Sequence, residues 1–196
     1  MRLAKPQMPA VLEESGRFAE EAAPCREDEY PLRGRRFREA SAEGEDFYRL
    51  EVEQCVFQGC DLSNSRFRDG YFCRVQLEGC KCVGADLTGA VLKHTAFQRC
   101  QCGFAALDKA RLTVVSLEDT DLTKASLSEV RLKSVTARDA KFVHNNLFKT
   151  ELAGMDFTRA ALEAPTLSAS LKELKGAKIT VQQAADLIRL WGVIVE

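Results

Sequence analysis

The residues of this 196-residue chain with the widest chemical repertoire are two histidines and eight cysteines, and their spacing turns most of that repertoire away. His94 and His144 stand 50 positions apart. Cys80-Lys81-Cys82 and Cys100-Gln101-Cys102 come closest to a ligand cluster. A structural zinc takes four thiolate or imidazole ligands in a tetrahedron, whereas thiols on alternate residues of a strand project onto one flat face. These pairs therefore read as a buried thiol column and not as a metal site. The chain holds no Gly-rich phosphate loop, Cys-x-x-Cys pair or nucleophile elbow. It calls for no cofactor. Cys73, next to Arg74, is different, because positive neighbours favour the thiolate. It is a candidate reactive thiol, weighed against the plainer reading of an inert surface cysteine.

What positions these side chains is a strict period of five. Every fifth residue from Leu32 to Phe157, and on to Leu167, is apolar: 28 centres, of which 15 are Leu and eight Phe, with Val52, Ala42, Ala137, Cys82 and Cys102 the rest. A helix wants an apolar residue every 3.6 positions and a half-buried strand every second. A period of five fits neither and points to a solenoid whose short segments each bury one large side chain before turning a corner. Two residues before each centre lies a second inward position, and from Cys55 to Ala140 all 18 of these are small. Large beside small is what a narrow, close-packed tube requires.

Ala85-Asp86-Leu87-Thr88-Gly89 is the cleanest unit, and Thr120-Asp121-Leu122-Thr123-Lys124 and Met155-Asp156-Phe157-Thr158-Arg159 are variants of it. The pattern resembles the pentapeptide repeat family, whose units read roughly Ala-Asp/Asn-Leu-X-X, over residues 30–169 and so over most of the chain. The resemblance implies an all-β solenoid, a right-handed quadrilateral β-helix with four pentapeptides to a coil and about seven coils. The recurrence of Cys60, Cys80 and Cys100 supports that coil length. At the usual strand spacing the rod is about 34 Å long.

Sorted into columns one coil apart, the two histidines fall on opposite faces and cannot share a metal or a proton relay. One face carries Arg74, Lys93, His94, Arg111, Arg131 and Lys133, with no acid between Glu53 and Glu151. Lys93 lies one coil from Cys73, about 5 Å away by strand spacing. The stripe could attract an anionic partner, against the plainer reading of a solvated face. No aromatic interleaving suggests base stacking, so DNA or RNA is not the expected ligand.

The chain divides into an N-terminal capping segment (1–29), the rod (30–170) and a C-terminal capping or dimerisation segment (171–196). The first segment suggests a helix over residues 11–23 that covers the open edge of the first coil. In the last, Thr180-Val181-Gln182-Gln183 reads as a capping box. The spacing predicts a helix from there through Trp191, stopping at Gly192, with Val193-Ile194-Val195 as a short tail strand. Leu187, Ile188 and Trp191 share a helix face, and with Val193 and Val195 they form either a cap on the rod or a homodimer contact.

A net charge of −1, 45% hydrophobic residues and no apolar run long enough to cross a bilayer describe a soluble chain without a membrane span. The leading residues enter no apolar h-region, and six cysteines fill inward positions, so a cytoplasmic, reduced protein is expected. The expected function is a non-catalytic interaction or scaffold rod with an unnamed protein partner. A filled tube offers no cleft for an enzyme. The alternative implied by the resemblance is a DNA-mimic modulator of type II topoisomerase, of the quinolone-protection type. It is disfavoured by 20 Lys+Arg against 19 Asp+Glu over residues 30–170 and by the absence of interrupting loops. Because each coil rests on its neighbours, Leu107→Asp should cost about 3–5 kcal/mol in urea unfolding by burying a charge in the stack.

Overall fold

The computed structural model describes residues 3, 5–27 and 30–196. Met1, Arg2 and Ala4 of the leading segment, with Asp28 and Glu29 near the first boundary, lie outside the described residues. The chain opens with β1 (Glu13–Ser15) and α1 (Phe18–Glu27), then β2 (Leu32–Arg33) and β3 (Arg35–Arg38). Short strands follow in pairs: β4 (Glu51–Glu53) with β5 (Val56–Gln58), and β6 (Tyr71–Cys73) with β7 (Gln76–Glu78). Three longer strands bend around a corner: β8 (Val91–Gln98), β9 (Arg111–Glu118) and β10 (Arg131–Arg138). β11 (Lys141–Val143), β12 (Ala161–Glu163), a 3-10 turn at Lys172–Leu174 and α2 (Val181–Arg189) complete the order.

The ladders of the rod are parallel and join each strand to the one a coil away, as in Val52↔Phe72, Phe72↔Leu92 and Leu92↔Leu112. The result is a β-solenoid of about seven turns. Four faces follow from the register: face I with Phe72, Leu92, Leu112 and Leu132, face II with Leu77, Phe97, Leu117 and Ala137, face III with Cys82, Cys102 and Leu122, and face IV with Leu87, Leu107 and Leu127. Corners fall two residues after a centre, where φ is positive: 58° at Asn64, 54° at Arg74 and 50° at His94. At Gly84 a Cβ would meet Asn64 Oδ1 at 2.6 Å, so glycine lets successive corners stack closely.

All 28 centres are buried except Leu132 and Leu167, which are partly buried. The small inward residues do more than leave room. Ser65 Oγ donates to Ala42 O at 2.6 Å, Cys80 Sγ to Phe57 O at 3.4 Å, Cys100 Sγ to Leu77 O at 3.4 Å, and Asn145 Nδ2 to Leu122 O at 2.5 Å. Each reaches back to the preceding coil and ties a corner to it, satisfying buried polar atoms that would otherwise be costly. Outside, aspartates brace the turns: Asp61 Oδ1 accepts from Ser63 N at 3.0 Å and Asp121 Oδ1 from Thr123 N at 2.9 Å. The Ser63 hydroxyl and N–H hold the Asp61 carboxyl below the usual carboxylate range. Two interior voids, of about 30 and 20 Å³, are no larger than a water or so.

Both ends differ in part from the sequence expectation. The N-terminal helix is present but starts at Phe18, not at residue 11, because Glu13–Ser15 pair with Arg35–Phe37 instead. Ladder partners outweigh local helix propensity there. The Phe18 ring enters the open end of the tube, 5.2, 4.9 and 5.1 Å from the rings of Phe37, Phe47 and Phe57. That coil has Ala42 as one centre, which leaves space for the plug. At the far end the capping box is formed: Thr180 Oγ1 accepts from Gln183 N at 3.1 Å and Gln183 Oε1 from Thr180 N at 2.8 Å. Gln183 Nε2 also donates to Phe157 O and Ala160 O, docking the helix on the rod.

The C-terminal helix ends at Arg189 with Leu190 as its cap, two residues short of the expected Trp191. The predicted tail strand does not form, since residues 193–195 find no ladder neighbour. No helix among the described residues is long and apolar enough to cross a membrane. Phe18→Ala should lower stability by about 3–5 kcal/mol, read by chemical unfolding, because it reopens the end of the tube.

Candidate functional site

The outward residues show where charge is balanced and where it is not. On face III, Lys81 Nζ lies 3.9 Å from Asp61 and Lys141 Nζ 3.6 Å from Asp121. On face II, Gln58 donates to Glu78 at 3.1 Å, Gln98 to Glu118 at 3.2 Å, and Arg159 pairs with Asp139 at 3.3 Å. On face IV, Arg66 pairs with Asp46 at 3.3 Å and Arg68 with Asp86. Each of these contacts joins neighbouring coils, so complementary side chains stack along the rod.

Beyond the Arg33–Glu53 pair of its first coils, face I breaks that rule. Arg111 and Arg131 are register partners on β9 and β10, and Lys133 sits beside Thr113, itself opposite Lys93. Among the described residues, Arg74, Lys93, Arg111, Arg131 and Lys133 make no ion pair. All five are exposed. Like charges directly across a ladder are unfavourable, so the stripe is a cost to the fold that the other faces avoid. Lys93 Nζ lies 5.2 Å from the centre of the Tyr71 ring, a cation–π contact that fixes one end of the stripe.

Cys73 lies in register with Lys93 at this end and is partly exposed. His94 turns a corner of face I and His144 one of face III, so the rod holds them apart. The thiols of Cys80, Cys82, Cys100 and Cys102 are buried and free, and burial pushes the Cys55 thiol up to about 11. No group of three or more His, Cys, Asp or Glu among the described residues is placed to hold a metal ion. At the C-terminal end Leu187 is buried under the cap. Ile188, Trp191 and Val193 are 44%, 41% and 50% exposed, and Val195 is partly exposed.

One feature beside the stripe escapes the repeat pattern. Between β10 and the coil after it, the ladder is open on two consecutive faces. Among the described residues, no backbone hydrogen bond joins residues 131–138 to residues 150–158. The seam is about 550 Å³ on face I, bordered by Glu129, Arg131, Leu132, Lys149 and Glu151. On face II it is about 370 Å³, floored by Leu117, Val135 and Ala137 and bordered by Leu3 and Lys5 of the leading segment. Two side chains hold it open. Thr150 Oγ1 takes the Val130 N–H at 2.9 Å, and the buried Glu173 carboxylate accepts from Lys149 N at 2.9 Å and Ser168 Oγ at 2.8 Å. Burial pushes the Glu173 carboxyl upward, but its own backbone N–H together with these donors holds it below its ordinary value. The sequence signal was Ala137, an undersized centre, but a small centre alone does not tell a plug from a gap.

A model for a pentapeptide repeat region matches residues 35–107, and one for eight copies of the pentapeptide repeat matches residues 95–133. No curated protein matches in sequence. Among solved structures, full-length QnrB1, a plasmid-mediated fluoroquinolone resistance protein, is 15% identical with a TM-score of 0.49, over 95% of this chain and 99% of that one. HetL, a pentapeptide repeat protein involved in heterocyst differentiation regulation from the cyanobacterium Nostoc, is 18% identical with a TM-score of 0.23, over 76% and 82%. If the stripe is kept at the expense of stability, Arg131→Glu should pair with Arg111 and raise stability by about 0.2–1 kcal/mol in urea unfolding at low salt.

Proposed function

This chain belongs to the pentapeptide repeat family, and from that premise we propose that it is a non-catalytic interaction module whose basic face binds an acidic protein partner. The observation that carries the reading is the Arg111–Arg131 pair, two cations held in register with nothing opposite, on a rod whose other faces match acid to base. A rigid surface of one sign steers and selects a partner of the other. The filled interior supports a role without chemistry, since ligand sites are normally concave. Free thiols throughout fit a reducing compartment such as the cytoplasm.

A second copy of the chain is the proposed partner at the C-terminal end, where Ile188, Trp191, Val193 and Ile194 stand exposed around the helix that Leu187 anchors. The alternative, a DNA-mimic modulator of type II topoisomerase, calls for a continuous negative face. Face I has the opposite sign, and face III alternates Asp with Lys, which disfavours it. A gyrase supercoiling rate unchanged by excess protein removes that alternative.

The test of the main reading is affinity retention of host proteins on the full chain and on Arg111→Glu/Arg131→Glu. Acidic proteins should be retained by the first, lost from the second, and released as salt rises from about 0.05 to about 0.5 M. Equal retention by both, or retention indifferent to salt, overturns the reading.

A further inference from the structure

Among the described residues, the seam beside β10 leaves backbone groups without the partners that their equivalents have in other coils. On face I, Gln54 N donates to Cys73 O at 2.9 Å and Arg74 N to Lys93 O at 3.0 Å, one coil onward. In the other direction, Arg111 N donates to Ala90 O and Arg131 N to Ala110 O, both at 2.9 Å. The corresponding bonds from Ser134 N to the coil after β10, and from Glu151 N back to Val130 O, are not formed. Face II shows the same gap. There Gln76 N donates to Cys55 O at 3.0 Å and Ala96 N to Val75 O at 2.9 Å, but Asp156 N makes no such bond to Val135 O. An open strand edge with room beside it is a template for another strand.

We propose that this seam is a strand-addition site, which takes an extended segment of a protein partner as a parallel strand along Arg131–Lys133. The ladder itself sets the chemistry of that segment. Throughout the rod, the residues flanking a centre stack on their counterparts one coil away, and apart from Arg111 and Arg131 the charges that meet in this way do so in complementary pairs such as Asp61 with Lys81 and Asp121 with Lys141. The flanking residues of β10 on face I are Arg131 and Lys133, both exposed and without an ion pair among the described residues. Between them Leu132 is only partly buried, unlike every earlier centre. The complementary strand therefore reads acidic, large apolar, acidic.

The chain's own next segment, Glu151-Leu152-Ala153, supplies part of this pattern but is held off. Its coil is anchored instead to the C-terminal turn beyond it: Leu152 N donates to Glu173 O at 2.9 Å and Gly154 N to Gly176 O at 3.0 Å. The buried Glu173 carboxylate replaces the backbone acceptor that a corner N–H such as Lys149 has elsewhere, for example Lys124 N to Val143 O at 2.8 Å. The slot is therefore bounded by a fixed wall and not by a loose loop. This inference rests on the proposed role of the basic face and narrows its partner to one that offers an extended acidic segment.

The test is fluorescence anisotropy of a labelled peptide with a central Glu-Leu-Glu, using the full chain. A control peptide carries N-methyl groups on the alternate amides that would face β10, and amide deuterium exchange is read at Leu132, Ser134 and Ala137. The account expects saturable binding, a loss of about tenfold or more in Arg131→Glu/Lys133→Glu, a similar loss on N-methylation, and slowed exchange at these amides only with peptide present. Equal binding of the N-methylated peptide overturns strand addition and leaves the basic-face reading standing. Absence of binding overturns the site, and so does slow exchange in the free protein, which would mean that the chain's own coil closes the seam. Protection that grows with protein concentration without peptide would assign the slot to a second copy and overturn the partner assignment.

Discussion

The structure depends on coil stacking upon coil in one unbroken register, the register that sets Val52 against Phe72 and Phe72 against Leu92. A pentapeptide cannot bury its centre alone; Leu87 is covered only because Phe67 and Leu107 lie below and above it in the same column. The large centres fill the tube and the small inward residues set its width. Side chains such as Ser65, Cys80 and Asn145 fasten corners by donating to the coil before. Hydrophobic burial and hydrogen bonding thus act along the same axis. A side chain that disturbs one column disturbs its neighbours on both sides.

The same register governs the surface. Because every outward residue faces its counterpart one coil away, the rod pairs most of its charges along its length. Faces II, III and IV do so, with Arg159 on Asp139, Lys141 on Asp121 and Arg66 on Asp46. Face I does so at Arg33 and Glu53 but places Arg131 on Arg111. The fold permits either arrangement, so the unmatched one is informative about function. Its position next to the open edge of β10 brings unmatched charge and open backbone groups to one place.

Much of this was legible in the sequence, because period and residue size suffice for a repeating tube. The centres, the small inward column, the membership of the basic face and the Thr180–Gln183 cap need only spacing and side-chain volume. The misses share a cause: each depends on which ladder partner is available. Glu13–Ser15 became a strand because β3 has a free edge, moving the helix to Phe18. Val193-Ile194-Val195 has strand composition but no edge to join, and Trp191 falls past the helix end. Ala42 and Ala137 look alike as undersized centres, yet Phe18 fills the space in one coil and the other opens into the seam. Phe18 in one coil, and Thr150 and Glu173 acting across coils in the other, distinguish them.

The filled tube is tested most directly by counting reactive thiols in the native protein. Of eight cysteines, seven are buried and Cys73 alone is partly exposed. Titration with an aromatic disulfide reagent under native conditions should label one thiol rapidly, lost in Cys73→Ser, and all eight once the chain is unfolded. Rapid labelling of the Cys60, Cys80 and Cys100 column in the native state would contradict a closed, packed interior.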